Sequence, residues 1–211
     1  MTRPVTVRRH KKKPAGQYHH GDLRRALVEE AVRTIRSHGV EQLTLRTIGE
    51  RLGVSRTALY RHFSDKQALL AAVSTEGFRT LRLALSTAWE QHGRGRPGFE
   101  AMAVAYVRFA VTHPAHYRVM FGRFLESAAG NADLQGEATA AFDVLMDALV
   151  TQQDAGIVRR DEPRLQARFI WAAVHGTAML AIDGQLGGDE DGEALNAYAI
   201  ERLRRAIDAE S

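Results

Sequence analysis

The chain has 211 residues, 45% hydrophobic and without cysteine, enough to bury the core of one or two domains but offering no disulfide frame, thiolate metal site or cysteine nucleophile. Its net charge of +4 is unevenly spread: residues 1–70 carry 15 Lys and Arg against 6 Asp and Glu, and the remainder 14 against 19, which suggests a polyanion-binding module on an acidic body. No apolar run approaches the roughly 20 residues that span a bilayer, and the scattered apolar residues at the N-terminus do not make a secretory signal, so a cytoplasmic protein with no membrane partner is expected.

Residues 1–17 carry Arg3, Arg8, Arg9, Lys11, Lys12 and Lys13 without apolar periodicity, the composition of a disordered basic arm. Such an arm either solubilises the chain or follows a DNA backbone. A first helix is expected from about Asp22 to Ser37, with Leu23, Ala26, Leu27, Ala31 and Ile35 inward and His38-Gly39 at its end. His19 and His20 precede it without a third ligand at metal-binding spacing.

The stretch Thr44 to Lys66 is the most informative. Thr44 is a hydroxyl N-cap, Leu45, Ile48 and Leu52 recur at helical spacing, and Gly53 stops the helix. Ser55 caps a second helix whose apolar side is Val54, Leu59 and Phe63, and Gly49 leaves room for the two to cross. This is a helix-turn-helix, with its second helix free to enter a major groove. The opposite side offers the donors Arg56, Thr57, Tyr60, Arg61 and His62, and no acid falls between Glu50 and Asp65. Ser64 to Gln67 spells a capping box, S-x-x-Q, opening the next helix. Lys66 in that first turn opposes the helix dipole, which a nearby phosphate would explain. The candidate DNA contacts are Arg56 and Thr57, with Arg46 as a second, for base edges, and Thr44, Ser55, Tyr60, Arg61, His62 and Lys66 around them.

The run LTLRTIGERLGVSRTALYRHFSDKQALL resembles the N-terminal DNA-binding domain of TetR-type transcriptional regulators, and carries the pattern T-x-x-x-I/A-x-x-x-G-V-S-x-x-x-L-Y-x-H-F-x-x-K without a gap. The resemblance implies an all-helical homodimer whose larger C-terminal domain binds a small effector that controls affinity for a palindromic operator. It sets the expected division: a basic arm over 1–17, the DNA-binding domain over 18–66, and a ligand-binding and dimerisation domain over 67–211.

From Lys66 a long amphipathic helix is expected to about Gln91, and the resemblance makes it the link between reading head and body. His92 to Gly98, HGRGRPG, reads as a flexible linker: its G-x-G-x-x-G follows no strand, and its AT-hook-like core lies some 40 Å of helix from Lys66. Five further helices follow: Phe99 to Thr112, a short one from Pro114 in HPAHYRVMFGRF, Leu134 to about Gln153, Pro163 to about Gly184, and Ala194 to about Ile207. Asp189 to Glu193 reads as an acidic loop. No strand pattern survives, so the fold class is all-α with about nine helices.

HPAHYRVMFG together with WAAVHGTAML resembles the ligand-sensing domain of a TetR subgroup named for a Trp-His-Gly element, here Trp171, His175 and Gly176. Trp171, His175, Met179 and Ile182 lie near one face of their helix. The expected ligand-binding set is Met102, Tyr106, Phe109, Phe121, Phe142, Met146, Trp171, His175 and Met179. Gly176 in mid-helix points to a close helix contact, and the resemblance pairs the last two helices across a two-fold axis. His113, His116 and His175 lack the regular spacing of a metal cluster, so neither a metal nor a cofactor is expected. An enzyme would need a nucleophile, a carboxylate pair or a metal set, and none is found. The reading is therefore a sequence-specific DNA-binding regulator and repressor released by a small apolar or amphipathic ligand. Its alternative is ligand-independent or non-specific DNA binding through the basic arm.

Overall fold

The computed structural model describes residues 20–123, 130–186 and 189–209. The basic arm with His19, as well as Phe124, Gly187 and Gly188, lies outside them. Nine helices run through the described residues: α1 (His20–His38), α2 (Leu45–Leu52), α3 (Arg56–Tyr60), α4 (Lys66–Gln91), α5 (Arg96–Thr112), α6 (Pro114–Phe121), α7 (Ala132–Asp154), α8 (Pro163–Ile182) and α9 (Asp189–Ile207). Extended pairing among them is limited to one bridge between Val158 and Asp208. No helix among the described residues is long and apolar enough to cross a membrane.

The head forms as its local signals dictate. Thr44 Oγ1 accepts from the Thr47 amide at 3.1 Å, and Ser55 Oγ accepts from the Ala58 amide at 3.2 Å, so each hydroxyl satisfies an orphan donor of its helix. Gly53 ends α2 at φ 66°, a left-handed conformation that a Cβ makes costly. A Cβ on Gly49 would stand 3.0 Å from Leu59 Cδ1, which is how closely α2 and α3 cross. The cap of α4 differs from the capping-box reading. Asp65, not Ser64, accepts from the Ala68 amide at 2.8 Å, while Ser64 Oγ donates to the Asp65 carboxylate. A carboxylate complements the helix dipole better than a hydroxyl, and that backbone bond holds Asp65 below its ordinary pKa.

Leu27, Leu43, Ile48, Leu59, Phe63, Leu69 and Val73 close the core of the head, and Ala115 and Val119 of α6 enter the same cluster. Glu30 ties α1 to α2 beneath it, with Arg51 reaching both Glu30 and Thr34. Burial pushes the Glu30 carboxyl up, but the hydrogen bonds from Arg33 and Arg51 prevail and hold it low.

The body packs α5, α6 and α7 around α4, with α8 on α5 and α9 outside α8. Residues 92–95 are a tight corner rather than a flexible linker. Gly98 lies so close to α4 that a Cβ there would stand 2.8 Å from the Trp89 carbonyl oxygen, and Arg96 bonds Asp208 at 2.7 Å and the Ile157 carbonyl at 3.3 Å. Asp189 to Glu193, read as a loop, are the first turns of α9. Gly176, expected at a close helix contact, makes none within this chain, since a Cβ there would meet nothing of it within 4 Å. On α8 and α9, the helices expected to pair, Ala178 and Ile207 are buried in the chain's own core, whereas Ala172, Tyr198 and Ala206 are exposed.

Candidate functional site

Two surfaces carry chemistry, one at each end of α4. On the head, Thr44, Arg46, Ser55, Arg56, Thr57, Tyr60 and Arg61 are exposed, and His62 and Lys66 are half-buried. The caps that build the helices also present donors, because a hydroxyl that accepts a backbone bond keeps its own proton. Arg56 lies over the Tyr60 ring, 5.5 Å from its centroid, an arrangement that orders the guanidinium at the start of α3. Arg46 is engaged by Glu50 at 2.8 Å. Lys66 Nζ donates to the Glu41 carbonyl at 3.3 Å, a tie between α4 and the loop before α2 that spacing did not announce.

Within the body, α4, α5, α6, α7, α8 and α9 line a cavity of about 720 Å³, within the range of drug-sized ligand sites. Met102, Tyr106, Phe121, Phe142, Met146 and Trp171 of the expected set line it. Phe109, His175 and Met179 do not. Phe109 turns away to stack on His113 at 5.0 Å, and Met179 packs against the central body cluster. His175 sits behind the wall, with Nδ1 2.6 Å from the Tyr117 hydroxyl and 3.2 Å from that of Tyr106. On α8 the cavity takes Ile170, Trp171 and Val174 instead, because the next positions round the helix are claimed by α5 and α6. The wall on α4 is Phe78, Leu81 and Leu85.

One hydrogen-bonded group stiffens this wall. Trp171 Nε1 donates to the Tyr106 hydroxyl at 3.0 Å, and the Tyr117 hydroxyl lies 3.0 Å from Tyr106. Burial pushes Tyr106 up to about 12 against the bonds from Tyr117 and Trp171, raises Tyr117 further, and holds His175 below its ordinary value. The group is therefore uncharged at neutral pH. The charged lining residues, among them Arg96, Asp143, Asp147, Arg164 and Arg168, are exposed or half-buried. Gln152 also lines the cavity and was missed from the sequence. Its signal was there, since Leu145, Leu149 and Gln152 share one face of α7 at spacings of four and three, and a glutamine is out of place on it.

The comparisons cover both ends. Residues 27–73 match the family model of bacterial regulatory proteins, tetR family, and residues 99–203 match that of the Tetracyclin repressor-like, C-terminal domain. An HTH-type transcriptional regulator of Mycobacterium tuberculosis is 25% identical over 191 residues, spanning 77% of this chain and 82% of its own. The Tetracycline repressor protein class C of Escherichia coli is 42% identical over 64 residues, 30% of this chain and 29% of its own. A solved protein of unknown function from Rhodococcus sp. RHA1 is 33% identical and superposes with a TM-score of 0.79, covering 92% of this chain and 99% of that one. Trp171, His175 and Gly176 remain a resemblance to the Trp-His-Gly subgroup, which the matched C-terminal model does not itself specify. With a DNA-reading head and a repressor-like body each matched in its own half, the chain belongs to the TetR family of transcriptional regulators and binds DNA through its N-terminal domain.

Proposed function

We propose that this chain is a homodimeric repressor that leaves a palindromic operator when a small apolar or amphipathic ligand occupies the body. Residues 18–66 read DNA, with Arg56, Thr57 and Arg46 at base edges and Thr44, Ser55, Tyr60, Arg61, His62 and Lys66 at or beside phosphates. Residues 67–211 hold the ligand and pair through α8 and α9. The observation that carries the reading is the course of α4: Leu69, Leu70 and Val73 lie in the head core, and Phe78, Leu81 and Leu85 form a wall of the cavity on the same helix. A ligand that favours one angle of α4 thereby favours one separation of two reading heads, provided it binds the two states with different affinity.

The test is selection of bound sequences from a random duplex pool at about physiological salt. A palindrome whose half-sites lie about one helical turn, or a multiple of it, apart supports the dimeric reading. A pool that stays random returns the weight to non-specific binding through the arm.

A further inference from the structure

The cavity is apolar over most of its wall, yet two of its lining side chains have hydrogen-bonding capacity left over. Gln152 is 1% exposed, and its Oε1 has no hydrogen-bond partner. A buried amide atom left unpaired is costly, and the cavity is the space that can supply a partner. The other side chain is Tyr106. Tyr117 and Trp171 Nε1 both donate to the Tyr106 hydroxyl and fill its two lone pairs. With the Tyr117 proton spent on Tyr106, the 2.6 Å contact to His175 takes its proton from Nδ1, which donates to Tyr117. The Tyr106 proton is the position left open, since a protonated Nδ1 cannot accept it.

The two sites lie at opposite ends. The main-chain carbonyl of Gln152 accepts from the amides of Ile157 and Val158, and that of Ile157 accepts from Arg96 in the first turn of α5. Tyr106 stands ten residues beyond Arg96 on α5, about 15 Å along that helix. No charged lining side chain among the described residues is buried. We infer that the effector is an uncharged, elongated, mostly apolar molecule with a hydroxyl-type oxygen near each end, one bonded to Tyr106 and the other to Gln152. A hydroxyl both donates and accepts, so one can accept from Tyr106 and the other donate to Gln152 Oε1. This rests on the cavity being the effector site.

The test uses the full chain and the neutral dye Nile red as the cavity probe, displaced by 1-decanol, 1,10-decanediol or decanoate. Loss of dye binding in Ala138→Phe locates the dye in the cavity, since Ala138 is part of its lining. In a purely apolar pocket the second hydroxyl weakens binding, so the sign of the comparison decides. The expected result is that the diol displaces dye at about tenfold lower concentration than the alcohol, the scale of one well-made hydrogen bond to an otherwise unpaired group. Gln152→Met and Tyr106→Phe should each reduce that advantage severalfold. Should either variant fail to melt cooperatively, the wild-type comparison and the remaining variant still decide. Dye that binds but is displaced equally by alcohol and diol, or best by decanoate, overturns the two-ended class and leaves the cavity as effector site. Failure of wild type to bind dye or any chain overturns both.

Discussion

Lys66 already has a backbone partner in the free chain, whereas Arg56 is ordered chiefly by the face of Tyr60, and on the proposed reading this difference separates a phosphate contact from a base contact. An arginine aimed at a guanine discriminates by about 1–3 kcal/mol. Arg56→Ala should therefore relax the preference at one base pair of the selected operator, while Lys66→Ala should weaken every duplex alike and lower the salt slope by about one. Titrating both variants against single-base operator variants checks this, and identical profiles would exclude the assignment. His175 gives a second prediction at the same scale. Its folded pKa lies below the ordinary 6.5, so its neutral form is the one the fold favours. Its contribution is present above pH 6.5 and is lost as the pH falls through 6.5 toward the lower folded value, because there the unfolded chain takes up the proton first. The melting temperature of wild type should fall between pH 7 and pH 5, and His175→Gln should flatten that fall. Parallel profiles would show that His175 does not titrate against the fold. Burial of this imidazole could not be read from spacing: Tyr106 and Tyr117 are 69 and 58 residues away in the chain.

At the level of elements, α6 is the piece shared between head and body. Ala115 and Val119 enter the head core, while Tyr117 and Met120 enter the body core and Phe121 lines the cavity. It is seated on α4 at Gly77, where a Cβ would come within 2.4 Å of Met120 Sδ and 3.2 Å of His116 Cβ. Gly77→Ala should cost about 1–3 kcal/mol by overpacking. The cost should shrink when Met120 is also changed to Ala, a coupling that denaturant melts of the four chains would measure. Equal costs in both backgrounds would mean that α6 is not seated there. This contact also marks where the sequence stops being informative. Helix positions, the caps at Thr44 and Ser55 and the stop at Gly53 are set by neighbours a few residues apart, and those were legible. Asp65 displaced Ser64 as a cap because two adjacent residues could both accept, and the backbone chose between them. The faces of α5 and α8 were legible only to within one position. Periodicity finds the apolar side, but which neighbour claims each residue is a tertiary matter, so Phe109, His175 and Met179 were assigned to a cavity that they do not line. Gln152 was overlooked because a single polar residue on an apolar face breaks the pattern that was being sought.

For the molecule as a whole, α8 leaves an apolar stripe uncovered. Leu165, Phe169 and Leu180 are 65%, 53% and 40% exposed, and with Ala172 and Gly176 they recur at spacings of three and four along one side; Tyr198 of α9 is exposed as well. Large exposed apolar side chains in a row are unusual on a monomer surface and mark an interaction face. Gly176 and Ala172 lie in the middle of it, where the absence of side-chain bulk lets a second helix approach closely. On the proposed pairing through α8 and α9, Phe169→Glu should convert the dimer to monomer in light scattering, because a carboxylate would then be desolvated on both sides of the two-fold. A monomer engages one half-site, so operator affinity should fall by about a hundredfold or more, the scale of lost bivalency. Binding to an isolated half-site should stay within a few-fold of wild type, since Phe169 lies on α8, far along the chain from the reading helices. A Phe169→Glu chain that remains dimeric and binds the full operator normally would place the pairing surface elsewhere. If half-site binding fell equally, the substitution would have disturbed the fold rather than the dimer.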